Sequence, residues 1–229
     1  MQHLDILELR LLGENMSQVG FYGTYARFVT EDRDDAAAFL GADNIIGDPF
    51  SVEMDYSTGE RIAWIVNPFG KRMGVLDKKI ADKIDLANAK GWTTVALLAL
   101  VAFTEEPAPG YYWGQVIVIS YDPQYKDAFS SFVTLMGKKL GSGIRPSINL
   151  GQEALNQIIA NKGNYMPSAR EPLPKKKKGT ALVKTERSNT ERLVEQARRG
   201  NIGCTIGSWV FLLAIVAAIV FGLHSCGLF

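Results

Sequence analysis

Alternating apolar and polar residues predict the strands of the first half of the chain. Residues 21–29, FYGTYARFV, are β-branched and aromatic with a period of about two, which is typical of a strand with one buried face. The runs SVEMDY and RIAWIV are separated by STGE, in which Gly59 suits a positive φ, and together they predict a β-hairpin. Residues 1–12 alternate more loosely, and a strand is the closest match.

Two longer apolar runs predict a buried pair of strands. TTVALLALVAF, residues 93–103, is too short to span a membrane and ends at Glu105 and Glu106. A fully buried strand is therefore the expected structure. EEPAPGYY predicts the following turn, and WGQVIVIS, residues 113–120, predicts the partner strand.

Helical spacing of apolar residues predicts helices over residues 78–91, 125–140 and 152–161, with Gly91, Gly141 and Gly163 as C-terminal stops. A shorter helix is predicted over residues 32–40, where acidic residues precede AAAFL and Gly41 ends the segment. Strands followed by helices indicate an α+β domain over residues 1–162.

The composition changes after residue 162. MPSAREPLPKKKKGTALVKTE is rich in proline and lysine and poor in large apolar side chains, so residues 163–188 are predicted to be a basic linker. Ser188 lies three residues before Glu191, which is the spacing of a capping box. It predicts a juxtamembrane helix over residues 189–200.

Residues 202–223 carry no formal charge. As an α-helix they would be about 33 Å long, which is enough to cross a hydrocarbon core of about 30 Å. A secretory signal would lie at the N-terminus, and a GPI signal needs a polar spacer before its apolar tail. The pattern therefore predicts one transmembrane helix, followed by a short tail over residues 224–229.

The charges around this segment predict its orientation and its lipid contacts. Residues 1–170 have a net charge of −4, whereas residues 171–229 have a net charge of +5. No lysine or arginine follows the apolar segment, so the positive-inside rule places the N-terminal domain in the cytoplasm. The predicted contacts with anionic headgroups are made by Lys175, Lys176, Lys177, Lys178, Arg198 and Arg199.

Small residues recur along the apolar segment in two groups, a pair and a set of three, and within each group the spacing is four. Such a face lets two membrane helices approach closely, so it is a candidate for homodimerisation. The residues are Gly203, Gly207, Ala214, Ala218 and Gly222.

Residues suited to catalysis are scarce. The two cysteines, Cys204 and Cys226, and the two histidines, His3 and His224, lie near the ends of the chain, so no Ser–His or Cys–His pair is expected within the domain. No phosphate-binding glycine loop follows a predicted strand. Asp32, Asp34 and Asp35 fit a helix N-terminus better than a cation site. The sequence predicts a protein that is not an enzyme, with no cofactor and no metal.

The stretch RIAWIVNPFGKRMGVLDKKIADKIDLANAKGWTTVALLALVAF resembles the HIRAN domain, a small β-barrel-like module found alone and fused to DNA-processing enzymes. The likeness lies in the order strand, glycine turn, strand, short helix, glycine and long paired strands, within residues 19–121. The resemblance implies a small antiparallel β-barrel-like core over residues 19–121, with a pocket for a DNA 3′ end. The family's Asn-Pro-Tyr-Asp-x-Asn-Ala stretch has no match, because GDPFSVEMDY stands at that place.

Four residues are candidates for ligand binding: Tyr22, Tyr25, Lys71 and Arg72. Tyrosines can stack on bases and basic side chains can bind phosphates, so the set suits a nucleic-acid end. The alternative interpretation is that the tyrosines belong to the core and the basic residues to a solvated face. The function expected first is a tail-anchored membrane protein whose cytosolic domain binds a protein partner, and nucleic-acid end binding is the alternative.

Overall fold

The computed structural model describes residues 19–30, 38–41, 43–198 and 210–216, without the side chains of residues 195–198. The chain divides into two compact units, Met1–Arg187 and Ser188–Phe229. The strands of the first unit are β1 (Phe21–Val29), β2 (Pro49–Asp55), β3 (Ile62–Val66), β4 (Arg72–Leu76), β5 (Thr93–Thr104), β6 (Tyr111–Tyr121) and β7 (Thr180–Lys184). Its helices are α1 (Lys78–Ala89), α2 (Lys126–Gly141) and α3 (Gln152–Ala160).

The first six strands form an antiparallel β-barrel. They follow the order β2-β3-β4-β1-β6-β5, and β2 closes the ring by pairing with β5 at Pro49↔Leu97 and Phe50↔Ala96. Closure removes most of the unpaired sheet edges that an open sheet of this size would leave. Phe28, Phe39 and Phe50 stack in series in the core, with ring centroids 5.0 and 6.3 Å apart. The predicted α+β class, with a barrel and helices after it, is confirmed.

The two predicted strand pairs are confirmed as well. β2 and β3 form an antiparallel hairpin, and Gly59 in its turn has a φ of +79°. β5 pairs with β6 over most of its length, and its middle residues from Ala96 to Ala102 are all buried. A strand covered on both faces needs no polar alternation, which is why this run is continuously apolar.

The helices bury the apolar residues that their spacing indicates. In α1 the buried residues are Ala81, Ile84 and Ala87. α2 buries Phe129, which stacks on Tyr121 of β6 with ring centroids 5.1 Å apart. The predicted stop at Gly141 needs a correction, because Gly141 is the last residue of α2 and the residue with positive φ is Gly143. Position 141 has no room for a side chain, because a Cβ there would lie 2.6 Å from Arg187 Nε.

The predicted linker over residues 163–188 and the domain boundary at residue 162 are wrong. β7 lies inside that range and pairs with β5, and the first unit extends to Arg187. Leu182 packs against Leu100, Ala102 and Trp113, so even this lysine-rich segment contributes an apolar contact. Arg187 is buried, and its Nε donates to the carbonyl of Ile46 at 2.5 Å.

In the second unit, helix α4 (Asn189–Arg198) confirms the capping-box prediction. The Ser188 N–H donates to Glu191 Oε2 at 2.9 Å, and the Glu191 N–H donates to Ser188 Oγ at 3.2 Å. These two bonds satisfy backbone donors that the first helical turn cannot use.

Of the apolar C-terminal segment, the structure describes residues 210–216, which are helical. No helix among the described residues has both the length and the apolarity needed to cross a membrane. The predicted transmembrane helix over residues 202–223 lies largely outside the described residues. The predicted strand over residues 1–12 also lies outside the described residues. Of the short helix predicted over residues 32–40, residues 38–40 are described, and they are helical.

Candidate binding site along the edge of β1

The first half of β1 has one edge that no described strand covers. β6 pairs with β1 over its whole length, from Phe21↔Tyr121 to Val29↔Trp113. On the other side β4 pairs with only two residues of β1, Phe28 and Val29. We call the uncovered side of residues 21–27 the open edge of β1.

A cleft of about 400 Å³ lies at this edge. Four consecutive residues of β1 line it, and successive side chains of a strand point to opposite faces. A cavity that touches all four must therefore lie along the edge of the strand. The full lining is Tyr22, Gly23, Thr24, Tyr25, Ser147, Ile148, Asn149 and Glu171.

The hydrogen-bonding pattern directs backbone groups of β1 into the cleft. The Asp122 N–H donates to the Gly20 carbonyl, and the Thr30 N–H donates to the Tyr112 carbonyl. Bonded pairs alternate with non-bonded pairs in an antiparallel ladder, so the even-numbered residues of β1 bond to β6. The N–H and C=O groups of Gly23 and Tyr25 then face the open edge. The Tyr25 carbonyl accepts a long bond of 3.4 Å from Thr24 Oγ1.

Residues 146–149 form the opposite wall and pack closely on β1. A Cβ at Gly23 would lie 2.3 Å from Ile148 Cγ2 and 2.6 Å from the Ile148 carbonyl oxygen. Only glycine permits this approach. The wall is fixed from behind by an isolated bridge between Pro146 and Arg170 and by the Ser147 N–H, which donates to the Ala169 carbonyl at 2.9 Å.

Tyr25 is held rigidly between β1 and this wall. Its hydroxyl donates to the Pro146 carbonyl at 3.0 Å, and Arg145 Cζ lies 4.5 Å from its ring centroid. Burial raises the pKa of Tyr25 above its ordinary value, the Arg145 guanidinium opposes the rise, and Glu171 adds to it. Tyr25 is therefore a neutral phenol at physiological pH and a fixed part of the cleft.

Arg145 is buried directly behind the cleft. Its Nη1 donates to the Ala99 carbonyl at 3.2 Å, at the irregularity between Leu98 and Leu100 in β5, and its Nη2 donates to Gln115 Oε1 at 2.7 Å. A bulge frees a carbonyl from the ladder, and Arg145 supplies a donor for it. Burial lowers the pKa of Arg145. We assign Arg145 a structural role, as the residue that holds the rear of the cleft.

Tyr22 and Glu171 complete the lining. Tyr22 packs against the core, and burial raises its pKa while a hydrogen bond with Thr24 opposes the rise. Glu171 is exposed, and its N–H donates to the Arg145 carbonyl at 2.8 Å. Among the described residues that line the cleft, Glu171 is the only one with a formal charge.

The structure does not bring the four candidate binding residues together. Tyr22 and Tyr25 line the cleft, whereas Lys71 and Arg72 lie beyond the opposite end of β1. The register Val29↔Val75 places Arg72 about ten residues from Tyr22 along the strand direction, or about 30 Å. Arg72 also pairs with Glu53 and Asp55 at 3.3 and 3.1 Å.

The predicted lipid and dimer residues are only partly described. Lys175, Lys176, Lys177 and Lys178 are exposed and lie on the first unit, just before β7. The side chain of Arg198, and all of Arg199, fall outside the described residues. Of the proposed dimer face, only Ala214 is described, and it is an exposed residue of the helical segment 210–216. The other four residues of that face lie outside the described residues: Gly203, Gly207, Ala218 and Gly222.

Half of the residues that line the cleft were not predicted from the sequence. Ser147, Asn149 and Glu171 come from segments without regular periodicity, so no pattern pointed to them. The one local signal was Gly23, a glycine in the middle of a strand, which often marks a close approach of another backbone.

Comparisons with models of known protein families, with curated proteins and with solved structures found no match to this chain.

Proposed function

We propose that this chain is a non-enzymatic, tail-anchored membrane protein whose cytosolic barrel binds a protein partner in the cleft along β1. The observation that carries the proposal is the cleft itself, because it combines a strand edge that no described strand covers with a polar lining. Concave sites with a few converging polar groups are the usual places for ligands. The uncharged residues 202–223 supply the proposed anchor.

The chemistry of the cleft favours a protein over a nucleic-acid end. Glu171 is the one charged residue among the described residues of the lining, and its carboxylate repels phosphate. Lys71 and Arg72, the basic residues that the nucleic-acid alternative requires, lie about 30 Å away along the strand direction. That alternative, and with it the ligand of the HIRAN family, therefore has less support.

The lysine run supports an accessory contact with lipid. Lys175 to Lys178 are all exposed on the folded unit, and each basic residue near an anionic surface contributes about 1 kcal/mol. We further propose that two anchors associate through the small-residue face of residues 203–222. Neither contact requires a cofactor.

Site-specific photo-crosslinking of the full chain in its native membrane tests the proposed function. A photoreactive residue at Ser147, inside the cleft, is expected to give an adduct of one defined mass, because a bound partner lies within reach of that wall. Glu60, in the exposed β2–β3 turn, is the control position and is expected to give no such adduct. The same adducts at both positions would contradict the proposal.

A further inference from the structure

We propose that the cleft binds an extended polypeptide segment of the partner, which adds to β1 as a strand and places a lysine or arginine side chain against Glu171. The inference rests on the proposed function and states how the partner is recognised. Addition of a strand to a sheet edge is a general mode of peptide recognition, in which main-chain bonds give affinity and side-chain pockets give specificity.

The backbone of β1 supplies the main-chain part of this recognition. The N–H and C=O groups of Gly23 and Tyr25 face the cleft, and no described strand pairs with them. An added strand would bond to both residues and would displace the long Thr24 contact to the Tyr25 carbonyl. The contacts would skip every second residue, as in any β-ladder.

Within residues 21–25, the open edge lacks two kinds of side chain by which sheet proteins protect such edges. Proline and lysine are the usual protective residues on an edge strand, and residues 21–25 contain neither. Gly23 adds no side chain that would cover the edge. Tyr25, Ser147 and the Pro146–Arg170 bridge fix the shape of the cleft, so little ordering is needed when a strand binds.

Charge complementarity selects the side chain of the ligand. Glu171 is exposed at one side of the cleft, and no lysine or arginine is among the described residues of the lining. Arg145 acts on Glu171 electrostatically from behind, but its described hydrogen bonds go to Ala99 and Gln115. A cationic side chain on the ligand would make a charge-assisted hydrogen bond with Glu171, with Ser147 and Asn149 as polar neighbours.

Peptide binding to the full chain in neutral detergent micelles tests the inference. The probe is acetyl-Thr-Val-Thr-Lys-Thr-Val-Thr-amide, and the readout is hydrogen exchange at individual backbone amides. At millimolar peptide, exchange at Gly23 and Tyr25 is expected to slow, whereas the Tyr22 and Thr24 amides, already bonded to β6, are expected to stay unchanged.

Three matched changes separate the contribution of the ion pair with Glu171 from that of the main-chain hydrogen bonds of the added strand. Replacing the peptide lysine by glutamate, or changing Glu171→Gln in the protein, is expected to weaken binding by about fivefold, the upper range for an exposed ion pair. Methylation of alternate peptide nitrogens on the edge that faces β1 is expected to abolish protection, because it removes the donors of the added strand.

Several results would overturn the inference. One is unchanged exchange at Gly23 and Tyr25 with millimolar peptide, and another is equal binding of the lysine and glutamate peptides. A third is that the Gly23 and Tyr25 amides are already protected in the chain without peptide and lose this protection when residues 1–18 are deleted. The cleft would then be occupied by the chain's own N-terminal segment. A crosslinked partner at Ser147 without peptide protection would remove this inference and leave the proposed function standing.

Discussion

At the scale of single residues, the shape of the cleft depends on Gly23. A Cβ at this position would lie 2.3 Å from Ile148 Cγ2 and 2.6 Å from the Ile148 carbonyl oxygen, so Gly23→Ala must displace the 146–149 segment. We expect the free energy of unfolding to fall by about 1–3 kcal/mol, as for other overpacked sites. Urea unfolding of the full chain in mild detergent measures the change.

Gly41→Ala is the matched control for that experiment. The nearest atoms to a Cβ at Gly41 are the Ala38 carbonyl oxygen at 3.5 Å and the Asp43 nitrogen at 4.0 Å, which are ordinary contacts. This substitution is expected to change stability by less than about 0.5 kcal/mol. Equal losses at the two glycines would show that residues 146–149 do not pack on β1 as described.

A second prediction for a single residue concerns Tyr25 and the free energy of unfolding at alkaline pH. Burial raises the pKa of Tyr25 above its ordinary 10.0, so the folded protein keeps the phenol proton after the unfolded chain has lost it. The associated stability is complete below pH 10 and falls as the pH rises through the folded pKa. Tyr25→Phe should therefore make the decline of unfolding free energy above pH 10 less steep. Identical slopes for the two proteins would contradict the burial of Tyr25.

At the scale of elements, the sequence predicted the strands and helices whose side chains follow a regular period. β1, the β2–β3 hairpin, the β5–β6 pair and helices α1 to α3 all lie where the patterns placed them. β7 escaped prediction because a five-residue strand beside a lysine run carries little apolar signal. What stabilises it is pairing with β5, and such non-local hydrogen bonds leave no trace in local sequence.

The side-chain alternation of β7 gives a testable contrast between neighbouring residues. Leu182 is half-buried against Leu100, Ala102 and Trp113, whereas Val183 is 44% exposed. Leu182→Ala should lower the free energy of unfolding by about 1–3 kcal/mol, because it removes buried methyl groups. Val183→Ala should cost less than about 0.5 kcal/mol. Thermal unfolding of the two variants makes the comparison, and equal losses would mean that β7 does not pack on β5.

At the scale of the whole molecule, the candidate site could be predicted only in part. Tyr22 and Tyr25 lie on a strand that the sequence identified, but the opposite wall is supplied by residues 147–149 and by Glu171, over 120 positions later in the chain. Long-range contacts decide which of these segments meet, such as the hydrogen bond from the Tyr25 hydroxyl to the Pro146 carbonyl and the bridge between Pro146 and Arg170. The predicted grouping of Lys71 and Arg72 with the two tyrosines was wrong for the same reason, because the register of β4 against β1 sets the distance of these basic residues from the cleft.

The central claim at this scale is that the barrel works at a membrane surface, held there by residues 202–223. Alkaline carbonate extraction of membranes from cells that express the full chain tests it most directly. We expect the chain, and its Leu213→Ala variant, to stay in the membrane pellet. Leu213→Arg should shift protein to the supernatant, because an arginine near the centre of a membrane helix costs about 2.5–3.5 kcal/mol. Full-length protein that is recovered from the supernatant, monodisperse and without detergent, would contradict the account.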